Sequence, residues 1–212
     1  MPERGPGGRT WVVAWAVLAV LLVGTGLFLV LSPRPGPPSA MPQHPAATSA
    51  GAPPAAALPR SVPTRLRVPA IGVDAQVVAM GLNPDGTAGE PPLSRPDLVS
   101  WFSDGAAPGQ IGVSAFYGHV DSRRSGPAVF YRVAQLTPGA AVQVSRRDGR
   151  TATFEIYAVE RYAKTDFPTD RVYAHTGRSE IRLITCGGTF DPAKGSYRDN
   201  IVAFGSLVTP RP

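Results

Sequence analysis

Cysteine is scarce in this chain of 212 residues, because Cys186 is the only one. No disulfide bond can therefore form within the chain. Histidine is also rare, with only His44, His119 and His175. No spacing of His, Cys, Asp or Glu resembles a transition-metal site, and the sequence predicts neither a metal nor a cofactor. A lone cysteine is either a small buried apolar residue or a thiol kept for chemistry.

Charged side chains are absent from residues 11–31, an apolar run of 21 residues. About 20 apolar residues in a helix span the hydrocarbon core of a membrane. Residues 1–10 carry Arg4 and Arg9, which favours a cytoplasmic N-terminus and an extracellular remainder. The alternative is a cleavable signal peptide, whose apolar region is shorter and is closely followed by a cleavage site. The sequence thus predicts a single-pass transmembrane anchor at 11–31.

Acidic residues are absent from residues 32–60, which contain nine prolines and eight alanines. Such a segment cannot bury enough apolar surface to fold. We expect a disordered tether that holds the next domain, residues 61–212, away from the membrane. His44 lies in this tether and is not a candidate for function.

The formal net charge of +6 is typical of nucleic-acid-binding proteins, but part of it lies outside the predicted folded domain. Residues 61–212 hold 17 basic and 14 acidic side chains, which is an ordinary solvated surface. No stripe of basic and aromatic residues accompanies the arginine pairs, so we expect no nucleic-acid partner.

Apolar residues in the last 150 or so positions come in short bursts, without a helical period. One domain of this size can form its own core. Two bursts around Arg147-Asp148-Gly149 predict a β-hairpin. Short helices are expected near 127–135 and 168–173. The pattern predicts an all-β closed or nearly closed barrel, with strands at 66–68, 71–78, 111–117, 141–144, 152–159, 181–184 and 201–208.

Cys186 follows the apolar run 181–185 and precedes two glycines, which predicts that it ends a strand. A thiolate attacks carbonyl carbon and needs a base or a positive charge nearby. His119 also ends an apolar run, whereas His175 lies in a polar loop. His119 is therefore the better candidate. Composition alone does not decide between catalysis and structural roles for these residues.

The segment 183–186, Leu-Ile-Thr-Cys, followed by Arg198 resembles the cysteine-to-arginine segment of sortases, whose signature is Thr-Leu-x-Thr-Cys and then Arg. The segment 115–121 resembles the histidine segment of that family. The tract 126–136 resembles the Phe-x-x-Leu stretch that comes next. The resemblance spans about residues 64–208 and therefore nearly the whole predicted domain.

One position departs from the signature, since Arg182 stands where the first Thr is expected. Together with Gly187 and Gly188, this makes the chain most similar to class F sortases of Gram-positive actinobacteria. The departure bears on substrate preference and not on the type of reaction.

The resemblance implies a sortase-like barrel of seven to eight strands with one or two short helices. It also implies a cysteine transpeptidase that cleaves a Leu-Pro-x-Thr-Gly-like sorting signal on exported proteins between Thr and Gly. By position, Cys186 forms the thioester and His119 acts as general acid and base. Arg198 stabilises the substrate carbonyl or the oxyanion. The acceptor is an amine of the cell wall, commonly of a peptidoglycan precursor.

Other residues near these motifs have two interpretations each. Asp121 either orients His119 or belongs to a turn, and Thr185 either shapes the substrate pocket or is a strand residue. Tyr117 is a core or groove residue. Arg182 is the rival of Arg198, but it lies about 13 Å from Cys186 along a strand.

Two other functions are alternatives to a sortase. An L,D-transpeptidase expects a Ser-His-Gly-Cys block followed by a nearby Arg, whereas Thr-Cys-Gly-Gly stands here. A noncatalytic sortase-like module would only bind a wall or protein ligand, and the complete set of Cys, His and Arg argues against it.

Overall fold

The structure is a computed structural model that describes residues 55–209. The predicted cytoplasmic segment, the transmembrane anchor and residues 32–54 of the tether lie outside the described residues. Within 55–209, no helix is long and apolar enough to cross a membrane. The strands are β1 (Pro63–Val68), β2 (Val73–Met80), β3 (Val99–Phe102), β4 (Gly112–Tyr117), β5 (Asp121–Ser122), β6 (Gly126–Pro127), β7 (Ala141–Arg146), β8 (Thr151–Ala163), β9 (Ser179–Asp191) and β10 (Ser196–Leu207).

Eight of these strands close into a barrel in the order β1-β2-β3-β4-β9-β10-β8-β7, and β7 pairs with β1. The pairs β2–β3 and β4–β9 are parallel, and the other pairs are antiparallel. The helices are the five-residue α1 (Thr169–Tyr173) and 3₁₀ turns at Pro69–Ile71, Val133–Gln135 and Lys164–Asp166. The prediction of an all-β closed barrel with seven to eight strands is therefore confirmed, and the number is eight. The helix expected near 168–173 is also confirmed, whereas only a 3₁₀ turn forms within 127–135.

Alternation of side chains along the strands fills the barrel. In β7, and in β8 as far as Ala158, every second residue is buried, including Val142, Val144 and Phe154. Trp101 and Phe116 add large aromatic side chains that are at most 2% exposed. The hairpin predicted around Arg147-Asp148-Gly149 is present, with Val144 opposite Ala152. A period of two residues thus identifies the barrel interior.

The short strand β3 has no counterpart among the predicted strands. Only four residues long, it follows a proline-rich segment, so its local pattern resembles a loop. Pairing between residues far apart in sequence creates it: Val99 lies opposite Val77 of β2, and Trp101 opposite Phe116 of β4. The buried Ser100 hydroxyl donates to the carbonyl of Gly89 at 2.9 Å.

The prediction that the cysteine strand stops at two glycines is wrong, because β9 continues to Asp191. Pairing with β10 carries on past the glycines and places Phe190 opposite Tyr197. A shift in register near Gly188, whose φ is 74°, accommodates the change. Pairing of β9 with β4 ends at Ile184, so Cys186 lies just beyond the end of pairing on one side.

Residues just before β1 also belong to the folded unit, although the sequence places them in the tether. The backbone N–H of Leu58 donates to Gly109 O at 2.8 Å. Arg60 donates to Ser103 O at 2.6 Å, and its Cζ lies 5.3 Å from the centroid of Trp101. These contacts fix where the chain enters the barrel.

Candidate active site

The parallel pairing of β4 with β9 directs His119 and Cys186 to the same end of the barrel. Its last pair is Tyr117 with Ile184, and the N–H of Gly118 then donates to Ile184 O at 3.3 Å. His119 is two residues beyond Tyr117, and Cys186 is two residues beyond Ile184. The register thus places two residues from distant segments at equivalent positions after the last pair.

Cys186 is half-buried and lies opposite Asn200 of β10. Lys164 Nζ donates a hydrogen bond to its Sγ at 3.3 Å. Burial raises the pKa of the Cys186 thiol, and the Lys164 charge opposes that shift. The carboxylates of Glu90 and Asp121 raise this pKa further. The thiol therefore has one stabilising cation in contact and two anions in its surroundings that disfavour the thiolate.

His119 is half-buried, and its Nε2 lies 2.6 Å from the carbonyl oxygen of Pro91. A carbonyl oxygen only accepts hydrogen bonds, so Nε2 carries a proton and donates it. The other ring nitrogen, Nδ1, is then left for acid–base chemistry. Within residues 55–209, no hydrogen bond joins His119 to Cys186.

Arg198 lies at the register shift of β10, and 66% of its side chain is exposed. Its Nη2 is 3.5 Å from Asp191 Oδ2. In the described part of the chain it makes no hydrogen bond to Cys186 or His119. Its role in stabilising an oxyanion therefore stays a prediction.

Arg182 is nearly fully buried and is engaged on all sides. Its Nε donates to Val172 O at 3.1 Å, and its Nη2 donates to Glu180 Oε2 at 2.5 Å. Its Cζ lies 4.5 Å from the ring centroid of Phe204. Because all these partners are structural, Arg182 anchors helix α1 and has no donor directed at the thiol.

Asp121 accepts a hydrogen bond from the Tyr197 hydroxyl at 2.6 Å. Burial and this bond raise the pKa of Tyr197, so its hydroxyl stays protonated and remains a donor. The imidazole of His119 bonds instead to Pro91. The orienting role of Asp121 toward His119 thus stays a prediction, while its contact with Tyr197 is clear.

A cleft of about 590 Å³ lies along the residues that precede Cys186. Its walls include Thr185, Asn200 and Lys164, together with Tyr117 and Tyr173, whose hydroxyl oxygens are 2.8 Å apart. The apolar side chains of its walls are Leu82, Ala88, Phe102, Phe167 and Ile184, and the carboxylate of Glu90 also lines it. The sequence prediction that Tyr117 is a core or groove residue agrees with its position in this wall.

Thr185 is 4% exposed, and its hydroxyl has no hydrogen-bond partner in the described part of the chain. A buried hydroxyl without a partner is costly in free energy. Because Thr185 also lines the cleft, a bound substrate can supply the missing partner. This favours the pocket interpretation of Thr185 over that of an ordinary strand residue.

Several site residues are absent from the sequence prediction, namely Lys164, Tyr197 and Asn200. Alternation along β10 signals Asn200, which lies two positions after Arg198. No local pattern signals Lys164, because its contact with Cys186 joins residues 22 positions apart.

Comparison with known protein families identifies the chain. The sortase domain model matches residues 66–208, which is more than half of the sequence. The chain belongs to the sortase family. It is thus a cysteine transpeptidase with Cys186 as its only thiol. No curated protein matches the sequence.

Solved sortase structures share the fold. Sortase C-1 from Actinomyces oris is 22% identical with a TM-score of 0.54, and the match covers 69% of this chain and 73% of that one. Sortase A from Corynebacterium diphtheriae is 17% identical with a TM-score of 0.55, covering 73% and 64%. Sortase C from Clostridium perfringens is 13% identical with a TM-score of 0.52, covering 70% and 71%. At these identities the similarity shows the sortase fold alone.

Proposed function

We propose that this sortase is a membrane-anchored extracellular enzyme that cleaves a Leu-Pro-x-Thr-Gly-like sorting signal between Thr and Gly. It transfers the exported protein through a Cys186 thioester to an amine of the cell wall, such as a peptidoglycan precursor. The cleft beside Cys186 is the observation that carries this proposal. Its mainly apolar walls suit the Leu-Pro part of an extended peptide, and the Thr185 hydroxyl offers a polar contact next to the nucleophile.

The first half of the reaction forms the acyl enzyme. The Cys186 thiolate attacks the carbonyl carbon of the substrate Thr, and a C–S bond forms as the peptide C–N bond breaks. His119 gives a proton to the departing amine of Gly. The products of this half-reaction are a thioester on Cys186, a neutral imidazole and a free amino terminus.

The second half reverses these roles. An acceptor amine attacks the thioester carbonyl, loses a proton to His119 and forms a new amide as the C–S bond breaks. The thiolate leaves and the imidazole is protonated again. Arg198 stabilises the negative oxygen in both halves, and its exposed side chain is free to exchange Asp191 for the substrate.

The location and class of the enzyme are part of the proposal. The uncharged run 11–31 and the preceding Arg4 and Arg9 support a single-pass anchor with the catalytic domain outside. The departure at Arg182 and the glycines at 187–188 support a class F sortase of actinobacteria.

The substrate test uses the full chain in detergent and a fluorescent Leu-Pro-x-Thr-Gly peptide with triglycine as acceptor. We expect Thr–Gly cleavage, a peptide–triglycine product and a thioester mass adduct on the protein. Cys186→Ala abolishes all three, and a peptide with Thr and Gly exchanged is inert. A panel with varied second and third positions defines the motif. Wild-type transfer by Cys186→Ala contradicts the proposal.

Because Cys186 is the only thiol, its location can be tested directly. A membrane-impermeant maleimide applied to intact cells expressing the chain labels Cys186 if the domain is extracellular. Labelling that appears only after the cells are lysed contradicts this part of the proposal.

A further inference from the structure

Lys164 makes the hydrogen bond to Cys186 described above. It follows β8 at the start of a 3₁₀ turn, and its Nζ lies 3.3 Å from Cys186 Sγ and 2.9 Å from Ser196 Oγ. An ammonium group has donors and no acceptor, so the contact with sulfur is an N–H···S hydrogen bond. Such a bond is stronger when the acceptor is ionised. The contact therefore favours the thiolate over the thiol.

The other groups around Cys186 disfavour the thiolate, and the positive charge of Lys164 opposes them. The thiol is half-buried, which disfavours its charged form. Glu90, between β2 and β3, and Asp121 of β5 are anions that act against the thiolate, and Tyr197 of β10 also interacts with it. Lys164 supplies the positive charge in contact with the sulfur.

The two basic residues of the predicted site, His119 and Arg198, contact other groups and not the Cys186 sulfur. His119 donates through Nε2 to Pro91 O, and Arg198 pairs with Asp191. Neither makes a hydrogen bond to the Cys186 sulfur in the described part of the chain. The cation in contact with the thiolate is therefore Lys164, which is not one of the predicted catalytic residues Cys186, His119 and Arg198.

We propose that Lys164 is a further catalytic residue, whose ammonium group stabilises the Cys186 thiolate before acylation and again when it leaves the thioester. The inference rests on Cys186 being the nucleophile of the proposed function. In acylation the negative charge passes from sulfur to the substrate oxygen, and in deacylation it returns to sulfur. Lys164 keeps all its protons in both halves. As an ammonium ion, it does not compete with the acceptor amine for the thioester.

The test measures how fast iodoacetamide alkylates Cys186 as a function of pH, with the full chain in detergent. The single cysteine ensures that every adduct reports this thiol. Lys164→Gln removes the charge, and Lys164→Arg keeps it. Lys194→Gln is a matched control, because Lys194 is the other lysine of the chain and lies exposed between β9 and β10.

We expect Lys164→Gln to move the midpoint of alkylation to higher pH. At a fixed pH below the midpoint, its rate falls about three- to tenfold, since each pKa unit changes the thiolate fraction tenfold. Lys164→Arg retains most of the rate, and Lys194→Gln matches the wild type. Far-ultraviolet circular dichroism shows that the variants stay folded, as an exposed position predicts.

An unchanged pH profile in Lys164→Gln overturns the proposal, and so does an equal shift in Lys164→Gln and Lys164→Arg. Alkylation needs no peptide, so this result is independent of the substrate. If no sorting peptide is cleaved but the profile shifts, the proposed substrate is wrong and the role of Lys164 stands. If peptides are cleaved but the profile does not shift, the proposed substrate stands and the role of Lys164 is wrong.

Discussion

The hydroxyl of Tyr197 lies 2.6 Å from Oδ2 of Asp121 and donates a hydrogen bond to it. Tyr197 precedes Arg198 on β10, and Asp121 follows His119 by two residues. Phe190 packs edge-on against the Tyr197 ring at a centroid distance of 5.2 Å, which holds the ring in place. The bond thus ties together two segments that carry predicted catalytic residues.

We predict that Tyr197→Phe and Asp121→Asn have similar effects on stability and on transfer measured at the pH optimum of each variant. Each weakens the same bond, and we expect a loss of about 1 kcal/mol in the free energy of unfolding. The double variant is no worse than the more severe single variant, because the two residues act as one pair. Urea unfolding and the kcat/KM of peptide transfer measure both effects.

The same variants separate this interpretation from direct support of His119 by Asp121. Loss of the Asp121 charge by itself lowers the pKa of the Cys186 thiol and shifts the pH profile of transfer, so the two variants are compared at their own pH optima. If Asp121 orients the imidazole, Asp121→Asn lowers kcat/KM at its optimum far more than Tyr197→Phe does. That outcome contradicts the prediction of equivalence.

We predict that substitution of Arg182 lowers mainly stability, whereas substitution of Arg198 lowers mainly activity. Arg182→Gln leaves Glu180 buried without its cation, so we expect a loss of about 3 kcal/mol in unfolding free energy. Arg198→Gln changes stability by less than about 0.5 kcal/mol, because its side chain is exposed. It lowers kcat for transfer by about a hundredfold if it stabilises the oxyanion.

Thermal unfolding and peptide transfer on both variants check this contrast. Partial recovery of stability in the double variant Arg182→Gln with Glu180→Gln is the expected control, because the buried anion is then removed. A stable and fully active Arg182→Gln, or an Arg198→Gln with wild-type kcat, contradicts the assignment.

Thr185→Val is predicted to separate stability from substrate binding. The Thr185 hydroxyl has no hydrogen-bond partner among residues 55–209, so its removal leaves unfolding free energy unchanged or raises it by up to about 1 kcal/mol. If the hydroxyl binds the substrate, kcat/KM falls about tenfold, which corresponds to one lost hydrogen bond. Thr185→Ser keeps the hydroxyl and serves as the control. Equal activity in both variants contradicts a role in substrate binding.

The parts of the fold that depend on local patterns could be predicted from the sequence. Alternation in β7 and β8 and the turn at Asp148-Gly149 identify a hairpin that is present. The order of the motifs around His119, Cys186 and Arg198 indicates the sortase family, which the match over residues 66–208 shows.

The parts that depend on pairing between distant strands could not be predicted. β3 forms because β2 and β4 pair with it. β9 continues beyond Gly187 and Gly188 because β10 pairs with it there. The contact of Lys164 with Cys186 likewise depends on how β8 and β9 meet β10 within the barrel. Side-chain partners of this kind need the three-dimensional register, which local sequence does not specify.

The buried guanidinium of Arg146 joins the chain entry to the barrel. Its Nη2 donates to Pro59 O at 2.7 Å and to Asp148 Oδ2 at 2.6 Å. The hydrogen bond from Arg146 lowers the pKa of Asp148 from its ordinary 3.8 to about 2. A carboxylate whose pKa is lower in the folded state stabilises the fold above its unfolded pKa, and this contribution is lost as the pH falls to about 2.

We therefore expect Asp148→Asn to lower the thermal midpoint at pH 7, and the difference from the wild type to shrink between pH 4 and pH 2. The exposed Asp166→Asn serves as a control for removal of a carboxylate from the surface. Thermal unfolding of the full chain across this pH range measures the difference. A deficit in Asp148→Asn that persists unchanged at pH 2 shows that the residue acts through packing or its turn and not through its charge, because at that pH the wild-type carboxyl is about half protonated and most of its charge-dependent contribution is lost.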